Sequence, residues 1–344
     1  MALASHRLAL PKATADVDAP GKQVPIVCPG HSRPISELQF SPVTADGVFL
    51  ISACLDKLPM LRRGDTGDWI GTFTGHKGAV WSAKVDATAT KAATAGGDFC
   101  AKLWDAISGA ELREFSHKHI VKSVEFTPSG DQLLTASSDK TCKLWDLAGG
   151  GAEPLLVFEH PEGVNKVVAC PDGATAMTGA KDGVVRVWDL RSGAMVREVK
   201  VSDKVVMDME LSRDAATLTV AAGKTVSFFD ARGELGLLKA HVMPDAEGRG
   251  FPNFLEEGGA SLAPDGKRYV AGGGDLWVRV FDFETGAVLE CHKGHHGPIR
   301  CLRYSPTGES YASGSEDGTI RIWQSDVSAG GAAPPAPPAA AGSS

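Results

Sequence analysis

A short motif recurs along this chain at nearly constant intervals, and such a repeat constrains the fold more than any other feature. Its clearest copy is AGGDFCAKLWD, Ala95 to Asp105, which closes on a Trp-Asp pair. Seven copies follow one another in steps of 41 to 43 residues, with a single step of 52, and they end at Arg63, Asp105, Asp146, Asp189, Asp230, Asp282 and Gln324. The chain is therefore built from seven related units, one of which carries an insertion.

Each unit predicts several short β-strands. Along Cys142-Lys143-Leu144-Trp145, polar and apolar residues alternate with the two-residue period of a strand, and Gly, Asp, Ser or Pro bound such runs. A period of about 40 to 45 residues with a Gly-His opening and a Trp-Asp close resembles the WD40 repeat, which forms one four-stranded propeller blade per copy. We therefore expect an all-β fold, a seven-bladed WD40 β-propeller that spans residues 24–326 as one domain.

The ends of the repeat array predict how the ring closes. An apolar stretch, Val24 to Cys28, precedes Gly30-His31 in the way that Trp69 to Phe73 precedes Gly75-His76. No such stretch follows Trp323. We therefore expect the N-terminal strand to pair with the last blade, which removes the two open sheet edges of a linear array.

Three segments lie outside the regular units. Residues 1–23 form an arm without regular pattern, and residues 327–344 are an Ala/Pro-rich tail, so both are expected to be disordered. His6 and Arg7 interrupt the apolar stretch near the N-terminus, which argues against a secretory signal, whereas an organelle transit peptide stays open. The insertion, Val242 to Gly259, contains Pro, Gly, Asp and Glu and predicts a long exposed loop.

Composition narrows the classes of partner. The chain has 35 basic and 42 acidic side chains, and its net charge of −7 argues against non-specific binding of nucleic acid by the whole surface. No apolar run approaches 18 residues, so no membrane span is expected. The seven cysteines include no Cys-x-x-Cys pair, which indicates reduced thiols and predicts a cytoplasmic and nuclear protein.

Four repeats contain a His, a hydroxyl residue, an Asp and a Trp at fixed spacing. The Asp follows the His by 22 residues, the hydroxyl residue precedes the Asp by 4, and the Trp follows it by 6. The WD40 resemblance implies a structural hydrogen-bond relay from Asp through His and the hydroxyl to the Trp ring nitrogen. The four sets are His76/Thr94/Asp98/Trp104, His117/Thr135/Asp139/Trp145, His160/Thr178/Asp182/Trp188 and His295/Ser313/Asp317/Trp323.

The other three repeats depart from this pattern. Repeat one keeps His31, Ser52 and Asp56 but has Arg62 at the position of the Trp. Repeats five and six have Phe at that position and lack the complete set. A buried polar group without a partner costs about 1 to 3 kcal/mol. Blades with complete relays are therefore expected to be the more stable ones, and repeats five and six are expected to form the softest, least stable part of the ring.

Asp, His and Ser or Thr also make up hydrolase triads. A triad occurs once per site, with an exposed nucleophile and an oxyanion hole, whereas this set recurs four times and ends on an indole that needs an acceptor. We therefore expect no catalytic residues and no enzyme. The histidines near His117 and His295 have no Cys or carboxylate at the spacing of metal ligands, so no metal is predicted. The triple glycines are not followed by the Gly-Lys-Ser/Thr of a phosphate-binding loop, so no cofactor is predicted.

The face that carries the Gly-His loops, called the Gly-His face below, is expected to hold the partner surface. Side chains at the start of each inner strand alternate in direction, and some must surround the channel mouth. Trp81 is expected to contact a partner, with a place in the core as the alternative. Lys122 and Arg300 are expected to supply charge, with ordinary solvated charges as the alternative. Counting five residues beyond each His gives the rim residues Ser36, Trp81, Lys122, Asn165 and Arg300.

Stretches between the repeat signatures resemble one particular family of WD40 proteins, the serine/threonine kinase receptor-associated (Unr-interacting) proteins. The similarity is dense in repeats one to three and seven and thin from Gly149 to Gly259. The strings that carry it are FLISAC at 49–54, PMLR at 59–62, GDTGDWIGTF at 64–73, GHKGAVW at 75–81, TKAATA at 90–95, HKHIVK at 117–122 and YASGSEDGT at 311–319.

This resemblance implies a non-enzymatic scaffold or adaptor of the survival of motor neuron complex, which supports spliceosomal snRNP (Sm core) assembly and mRNA splicing. It implies that the propeller is monomeric within that complex, with an Unr-like RNA-binding protein and receptor kinases as further partners and with RNA contacted indirectly. The Ala/Pro tail departs from the family, which has a longer acidic end. The i subunit of eukaryotic initiation factor three remains the rival, because it shares a similar Gly-His-x-Gly-Ala-Val-Trp stretch.

Overall fold

The computed structural model describes residues 23–149, 151–244 and 258–325. In these ranges all regular structure is β, and 28 strands form seven four-stranded antiparallel sheets. The inner strands of neighbouring sheets contact one another in a closed circle around a central channel. The predicted all-β, seven-bladed propeller is therefore confirmed. No helix in the described ranges is long and apolar enough to cross a membrane.

The strands follow the repeats, and each blade is given from its inner to its outer strand. The first strand, β1 (Ile26–Cys28), belongs to blade seven. Blade one comprises β2 (Ile35–Phe40), β3 (Phe49–Cys54), β4 (Met60–Arg63) and β5 (Trp69–Thr72). Blade two comprises β6 (Val80–Val85), β7 (Lys91–Gly96), β8 (Cys100–Asp105) and β9 (Glu111–Ser116). Blade three comprises β10 (Val121–Phe126), β11 (Gln132–Ser137), β12 (Thr141–Asp146) and β13 (Leu156–Glu159).

Four blades complete the circle. Blade four comprises β14 (Val164–Ala169), β15 (Thr175–Ala180), β16 (Val184–Asp189) and β17 (Met195–Lys200). Blade five comprises β18 (Val206–Leu211), β19 (Thr217–Ala222), β20 (Thr225–Asp230) and β21 (Leu237–Val242). Blade six comprises β22 (Ala260–Leu262), β23 (Arg268–Gly272), β24 (Trp277–Asp282) and β25 (Val288–Lys293). Blade seven comprises β26 (Ile299–Tyr304), β27 (Ser310–Ser315), β28 (Ile320–Gln324) and β1.

The core lies between neighbouring blades rather than inside any one sheet. In one cluster, Phe115 of blade two packs with Val124, Leu133 and Trp145 of blade three. Burying an apolar side chain of this size stabilises the fold by about 1.5 to 3 kcal/mol, and both faces of a blade are used in this way. All seven cysteines are buried, and none of them forms a disulfide within the described residues.

Strand β1 closes the ring on blade seven. It pairs antiparallel with β28, with Ile26 opposite Ile322 and Cys28 opposite Ile320. Cys28 also packs in a core cluster with Ile35 of blade one, so the strand joins the first and last blades. This confirms the predicted closure, although the strand has three residues rather than the five expected, and Val24 is 90% exposed.

The segments outside the regular units, two of them predicted to be disordered and one predicted to be a long exposed loop, fall almost wholly outside the described residues. These are residues 1–22 and 326–344, together with most of the inserted loop, residues 245–257. Gln23 is described, and its Nε2 donates a hydrogen bond of 2.7 Å to the carbonyl oxygen of Gln324. The disorder of both ends therefore remains a prediction.

Blades five and six replace the missing relays with aromatic packing. The ring of His241 stacks on Tyr269 with centroids 5.6 Å apart, and Tyr269 stacks on Phe281 at 4.8 Å. Phe228 meets the edge of the same stack at 5.1 Å. The hydroxyl of Tyr269 is buried and has no hydrogen-bond partner among the described residues. Greater softness of this sector remains a prediction.

Removing residues 1–20 should leave the melting temperature nearly unchanged, because β1 is retained. Removing residues 1–30 should expose the edge of β28 and the edge of the core under Cys28 and cause aggregation. Thermal unfolding and light scattering on both truncations check this. A chain without residues 1–30 that stays soluble and unfolds cooperatively at the original temperature would contradict closure by β1.

Candidate functional site

Three of the four predicted sets form continuous hydrogen-bond relays, and the set of blade three shows their geometry. Trp145 Nε1 donates to Thr135 Oγ1 at 2.8 Å, Thr135 Oγ1 lies 2.7 Å from His117 Nε2, and His117 Nδ1 lies 2.9 Å from Asp139. The hydroxyl accepts from the indole, so its own proton goes to Nε2, and the imidazole carries its proton on Nδ1.

The relays of blades two and seven have the same connections, through Thr94 and Ser313. Trp104 Nε1 donates to Thr94 Oγ1 at 2.8 Å, and Trp323 Nε1 donates to Ser313 Oγ at 2.8 Å. In both blades the hydroxyl oxygen also lies 2.7 Å from Nε2 of the histidine, whose Nδ1 contacts the aspartate of the set.

The hydroxyl residues of the relays are closed to any ligand. Thr94 and Ser313 are 0% exposed, as are Thr135 and Thr178. The hydroxyls of Thr94 and Ser313, which the sequence assigns to structural relays, can reach neither a substrate, as a triad nucleophile would, nor a partner protein. Their part is confined to the interior of the blade, where each gives an indole its acceptor and an imidazole its donor.

The charges of the relay follow from these bonds. Burial alone would raise the pKa of Asp139, but hydrogen bonds from His117, Thr141 and the backbone N–H of Lys118 outweigh it and hold the pKa well below its usual range. Burial lowers the pKa of His117 below the ordinary histidine value, despite the nearby carboxylate. At neutral pH the pair is therefore a carboxylate beside a neutral imidazole.

The fourth set, His160/Thr178/Asp182/Trp188, was predicted wrongly at one link. Trp188 Nε1 donates to Thr178 Oγ1 at 2.8 Å, and His160 Nε2 lies 2.8 Å from the same oxygen. His160 Nδ1, however, lies 3.0 Å from the carbonyl oxygen of Phe158. Asp182 instead accepts a hydrogen bond of 2.8 Å from Arg186.

Pro161 explains why this aspartate leaves the relay. In the three complete sets, the residue after the His donates its backbone N–H to the Asp, as Lys118 does to Asp139 at 3.0 Å. Proline has no N–H, so Asp182 lacks that donor and pairs with the charged guanidinium of Arg186. The dipeptide His160-Pro161 was thus a visible signal in the sequence.

Blade one carries a modified relay. His31 lies 2.9 Å from Asp56 and 2.8 Å from Ser52, as in the complete sets. Arg62, at the position of the Trp, is buried and donates to the carbonyl oxygens of Pro29 and Gly67. Its guanidinium therefore fills the space of the indole while hydrogen-bonding to the surrounding loops.

Two relay clusters also contain a cysteine at a distance that a metal ion could bridge, His31/Cys54/Asp56 and His76/Asp98/Cys100. The imidazole nitrogens are already hydrogen-bonded to Asp and to a hydroxyl in both clusters. Burial raises the pKa of the Cys54 thiol to about 12, which opposes the thiolate that zinc requires. The geometry of these clusters is accounted for by the relays.

The rim residues converge on one cavity, and β-bulges place them there. The pairing of the inner strand shifts register at the same point in six blades, and the extra residue at each shift is a rim residue or Met207. A bulge re-aims the side chain of its extra residue, here toward the channel mouth. These six side chains, with Lys166, Asp208 and Cys301, line a cavity of about 90 Å³, called the Gly-His mouth below.

Met207 is the rim residue that sequence reasoning missed. Repeat five has no His from which to count. Each bulge residue, however, follows a buried Ile or Val, and Val206 is that residue in blade five. Alignment on the apolar position would have found Met207.

The rim residues differ in what they contact. Ser36 Oγ donates to the carbonyl of Val80 at 2.7 Å, and Asn165 Nδ2 donates to that of Val206 at 3.0 Å, so both tie neighbouring blades together. Lys122 Nζ lies 3.1 Å from the centroid of the half-buried Trp81 ring, which is a cation–π contact. Arg300 Nε donates to Glu316 at 3.0 Å.

An exposed aromatic pair lies in loops of the Gly-His face and was not predicted. Phe99 stacks on His119 with ring centroids 5.4 Å apart, and 46% of Phe99 is exposed. Its φ of 69° is in the left-handed region, which costs roughly 1 to 2 kcal/mol for a residue of this type. The equivalent turn of the other blades also has a positive φ, at Lys57, Lys140 and Leu276 and at Gly183, Gly223 and Gly318, so this conformation belongs to the repeat.

Below the Gly-His mouth, charged side chains of the inner strands meet across the channel. Lys166 of blade four lies 2.7 Å from Glu37 of blade one, and Arg303 of blade seven donates to both carboxylate oxygens of Asp208 of blade five at 2.7 Å. Lys84, Glu125 and Glu210 extend this network. A second cavity, of about 400 Å³, opens on the opposite face beyond it.

Replacing Asp139 with Ala should lower the free energy of unfolding by about 1.5 to 3 kcal/mol, because His117 and the N–H of Lys118 lose a charged acceptor. Asp182→Asn is the control, because Asp182 does not contact His160 and the amide oxygen of Asn can still accept from the buried Arg186, so this variant should cost clearly less. Chemical denaturation of both variants measures the difference. Equal losses would contradict the broken fourth relay, and an Asp139→Ala variant that folds normally yet loses a specific activity would contradict the structural role.

Comparison with known proteins agrees with this architecture. The WD domain, G-beta repeat family matches residues 67–105, 109–146, 152–189 and 286–324. The chain is 47% identical to the serine-threonine kinase receptor-associated protein of Gallus gallus over 89% of its own length and 84% of that protein. It is 42% identical to the protein of that name from Dictyostelium discoideum over 87% and 98% of the two chains.

The rival named from the sequence is a more distant relative. Eukaryotic translation initiation factor 3 subunit I of Bombyx mori is 31% identical over 88% of this chain and 96% of that protein. The chain belongs to the family of serine-threonine kinase receptor-associated proteins, which are built on WD40 repeats.

Proposed function

We propose that this chain is a non-enzymatic scaffold that binds protein partners at the Gly-His mouth. The observation that supports this best is the set of bulges through which six blades each aim one side chain into a single cavity. A surface assembled from so many blades is rigid, because each contributing strand is held in its own sheet. Rigid scaffolds of this kind suit binding sites.

Trp81 is the anchor of this proposed interface. Interface energy is concentrated in a few Trp, Tyr and Arg side chains. Trp81 offers a half-buried ring that Lys122 covers on one side, and Arg300 lies at the same mouth. Both cations favour a partner segment with acidic residues, although Glu316 offsets part of the charge of Arg300.

For the identity of the partners, we extend the family resemblance. The assembly in which this scaffold acts is a survival of motor neuron complex, where it supports spliceosomal snRNP assembly and mRNA splicing. An Unr-like RNA-binding protein and receptor kinases are further partners, the last in keeping with the name of the relatives. The net charge of −7 favours indirect contact with RNA. Buried cysteines that form no disulfide within the described residues suit a location in cytoplasm and nucleus.

Trp81→Ala should weaken association with the native complex by about 2 kcal/mol or more while changing the melting temperature little. Trp69→Ala is the matched control, because Trp69 is 59% exposed on the outer strand of blade one, away from the mouth. Quantitative pull-down from native lysate with each variant measures the effect. Normal binding by Trp81→Ala, or outright unfolding of that variant, would remove Trp81 from the interface.

The same pull-down with the unaltered chain decides between the two assemblies. Recovery of Sm proteins and components of the survival of motor neuron complex supports the proposed function. Recovery of initiation-factor subunits in their place would contradict it and favour the rival.

A further inference from the structure

The larger cavity of the channel opens on the face opposite the Gly-His face, and the proposed partner surface does not use it. Its volume of about 400 Å³ lies within the range of pockets that bind small ligands or inserted side chains. The wall is largely apolar, with Phe40, Val168, Leu211 and Leu262 at the ends of inner strands. The floor is charged and is formed by Lys84, Glu125, Glu210 and Arg303.

The charges around this floor are unequal in number. The carboxyl groups and the cations approach one another at 2.7 to 4.0 Å, so they form one network. Four carboxyl groups face three cations, which leaves an excess of one negative charge in a largely buried site. The carboxyl groups are Glu37, Glu125, Asp208 and Glu210, and the cations are Lys84, Lys166 and Arg303.

The cations of the floor contact carboxylates, whereas one carboxylate oxygen lacks a hydrogen-bond donor among the described residues. Arg303 donates to both oxygens of Asp208 at 2.7 Å, and Lys84 lies 3.3 Å from Glu125 and 3.8 Å from Glu37. Among the described residues, Glu210 Oε2 is buried and has no hydrogen-bond partner, although a hydrogen bond from Ser261 lowers the pKa of this carboxyl group. An acceptor of this kind costs free energy until a donor reaches it.

The pKa values of Glu125 and Glu210 agree with a site that has too few cations. Burial raises the pKa of Glu125 and of Glu210, and the attraction of Lys84 and Arg303 only partly offsets it. An anionic ligand would have to face both carboxylates and displace them from their cations. The chemistry of the floor therefore favours a donor with positive charge.

We propose that this cavity binds the guanidinium group of an arginine side chain on an extended segment of a partner protein. A guanidinium has five N–H donors in a planar fork and can contact two carboxylates at once, which a compact ammonium does less well. Its charge balances the network. Its methylene stem packs along the apolar wall formed by residues such as Phe40 and Leu262.

Arg213 lies at the entrance to this cavity and does not fill the site. It is exposed, and its guanidinium donates to the carbonyl oxygen of Pro306 in the turn of blade seven. It therefore bridges blades five and seven at the entrance, above the floor that contains Glu210. The incoming arginine enters beside it.

The test is a calorimetric titration of the full chain with N-acetyl-arginine N-methylamide. The citrulline counterpart has nearly the same shape without the charge, and inorganic phosphate is the anionic probe. The arginine compound should bind, and its affinity should exceed that of the citrulline compound at least about tenfold, as expected for hydrogen bonds to a charged group. Equal affinity for both compounds, or binding of phosphate in their place, would overturn the proposal.

Variants locate the binding to this floor. Glu210→Gln should reduce the affinity for the arginine compound at least about tenfold, and it should not lower the melting temperature because it removes an unbalanced charge. Glu125→Gln is a second variant with the same expected loss. Asp131→Asn, an exposed carboxylate in a turn of the same face, is the matched control and should change nothing. Trp81→Ala should also bind normally, which separates this site from the Gly-His mouth. Full affinity in both glutamate variants would refute the assignment.

Discussion

The pairing of β1 with β28 joins the start of the repeat array to its end, and every feature of the channel depends on this closure of the ring. Three residues make the pairing, yet they cover the edge of blade seven and seal the core beneath Cys28. Only in a closed ring can Glu37 of blade one meet Lys166 of blade four, or Asp208 of blade five meet Arg303 of blade seven. The charged network, in turn, divides the channel into two cavities with different chemistry.

The two cavities differ because different parts of the inner strands form them. At the Gly-His mouth, bulge residues present an indole, a thioether and cations that strand pairing does not require. At the opposite face, apolar strand ends surround a charged floor, and the network to which this floor belongs has one more carboxyl group than it has cations. A scaffold with two chemically distinct mouths can engage two segments at once. The relays keep the blades between them firm without entering either site, because their hydroxyls, such as those of Thr94 and Ser313, are fully buried.

Much of this could be predicted from the sequence, because the deciding interactions are local or periodic. The repeat interval predicts seven blades, and counting from each His finds the rim, since the loop from His to bulge keeps its length. Counting from the His does not find Met207, because blade five lacks the His. The relay spacing does not hold for Asp182, because Pro161 has no N–H to bind the aspartate. The channel network could not be predicted, because spacing along the chain does not specify which of seven inner strands face each other across the axis.

Hydroxyl-radical footprinting of the free chain and of its native complex tests most directly that partners bind across the Gly-His mouth. Trp and Met side chains report well because both are readily oxidised. Trp81 and Met207 line the mouth, whereas Trp69 and Met195 are exposed on outer strands. If partners bind across the Gly-His mouth, oxidation of Trp81 and Met207 should fall in the complex while that of Trp69 and Met195 stays the same. Protection of Trp69 and Met195 with no change at Trp81 and Met207 would contradict it.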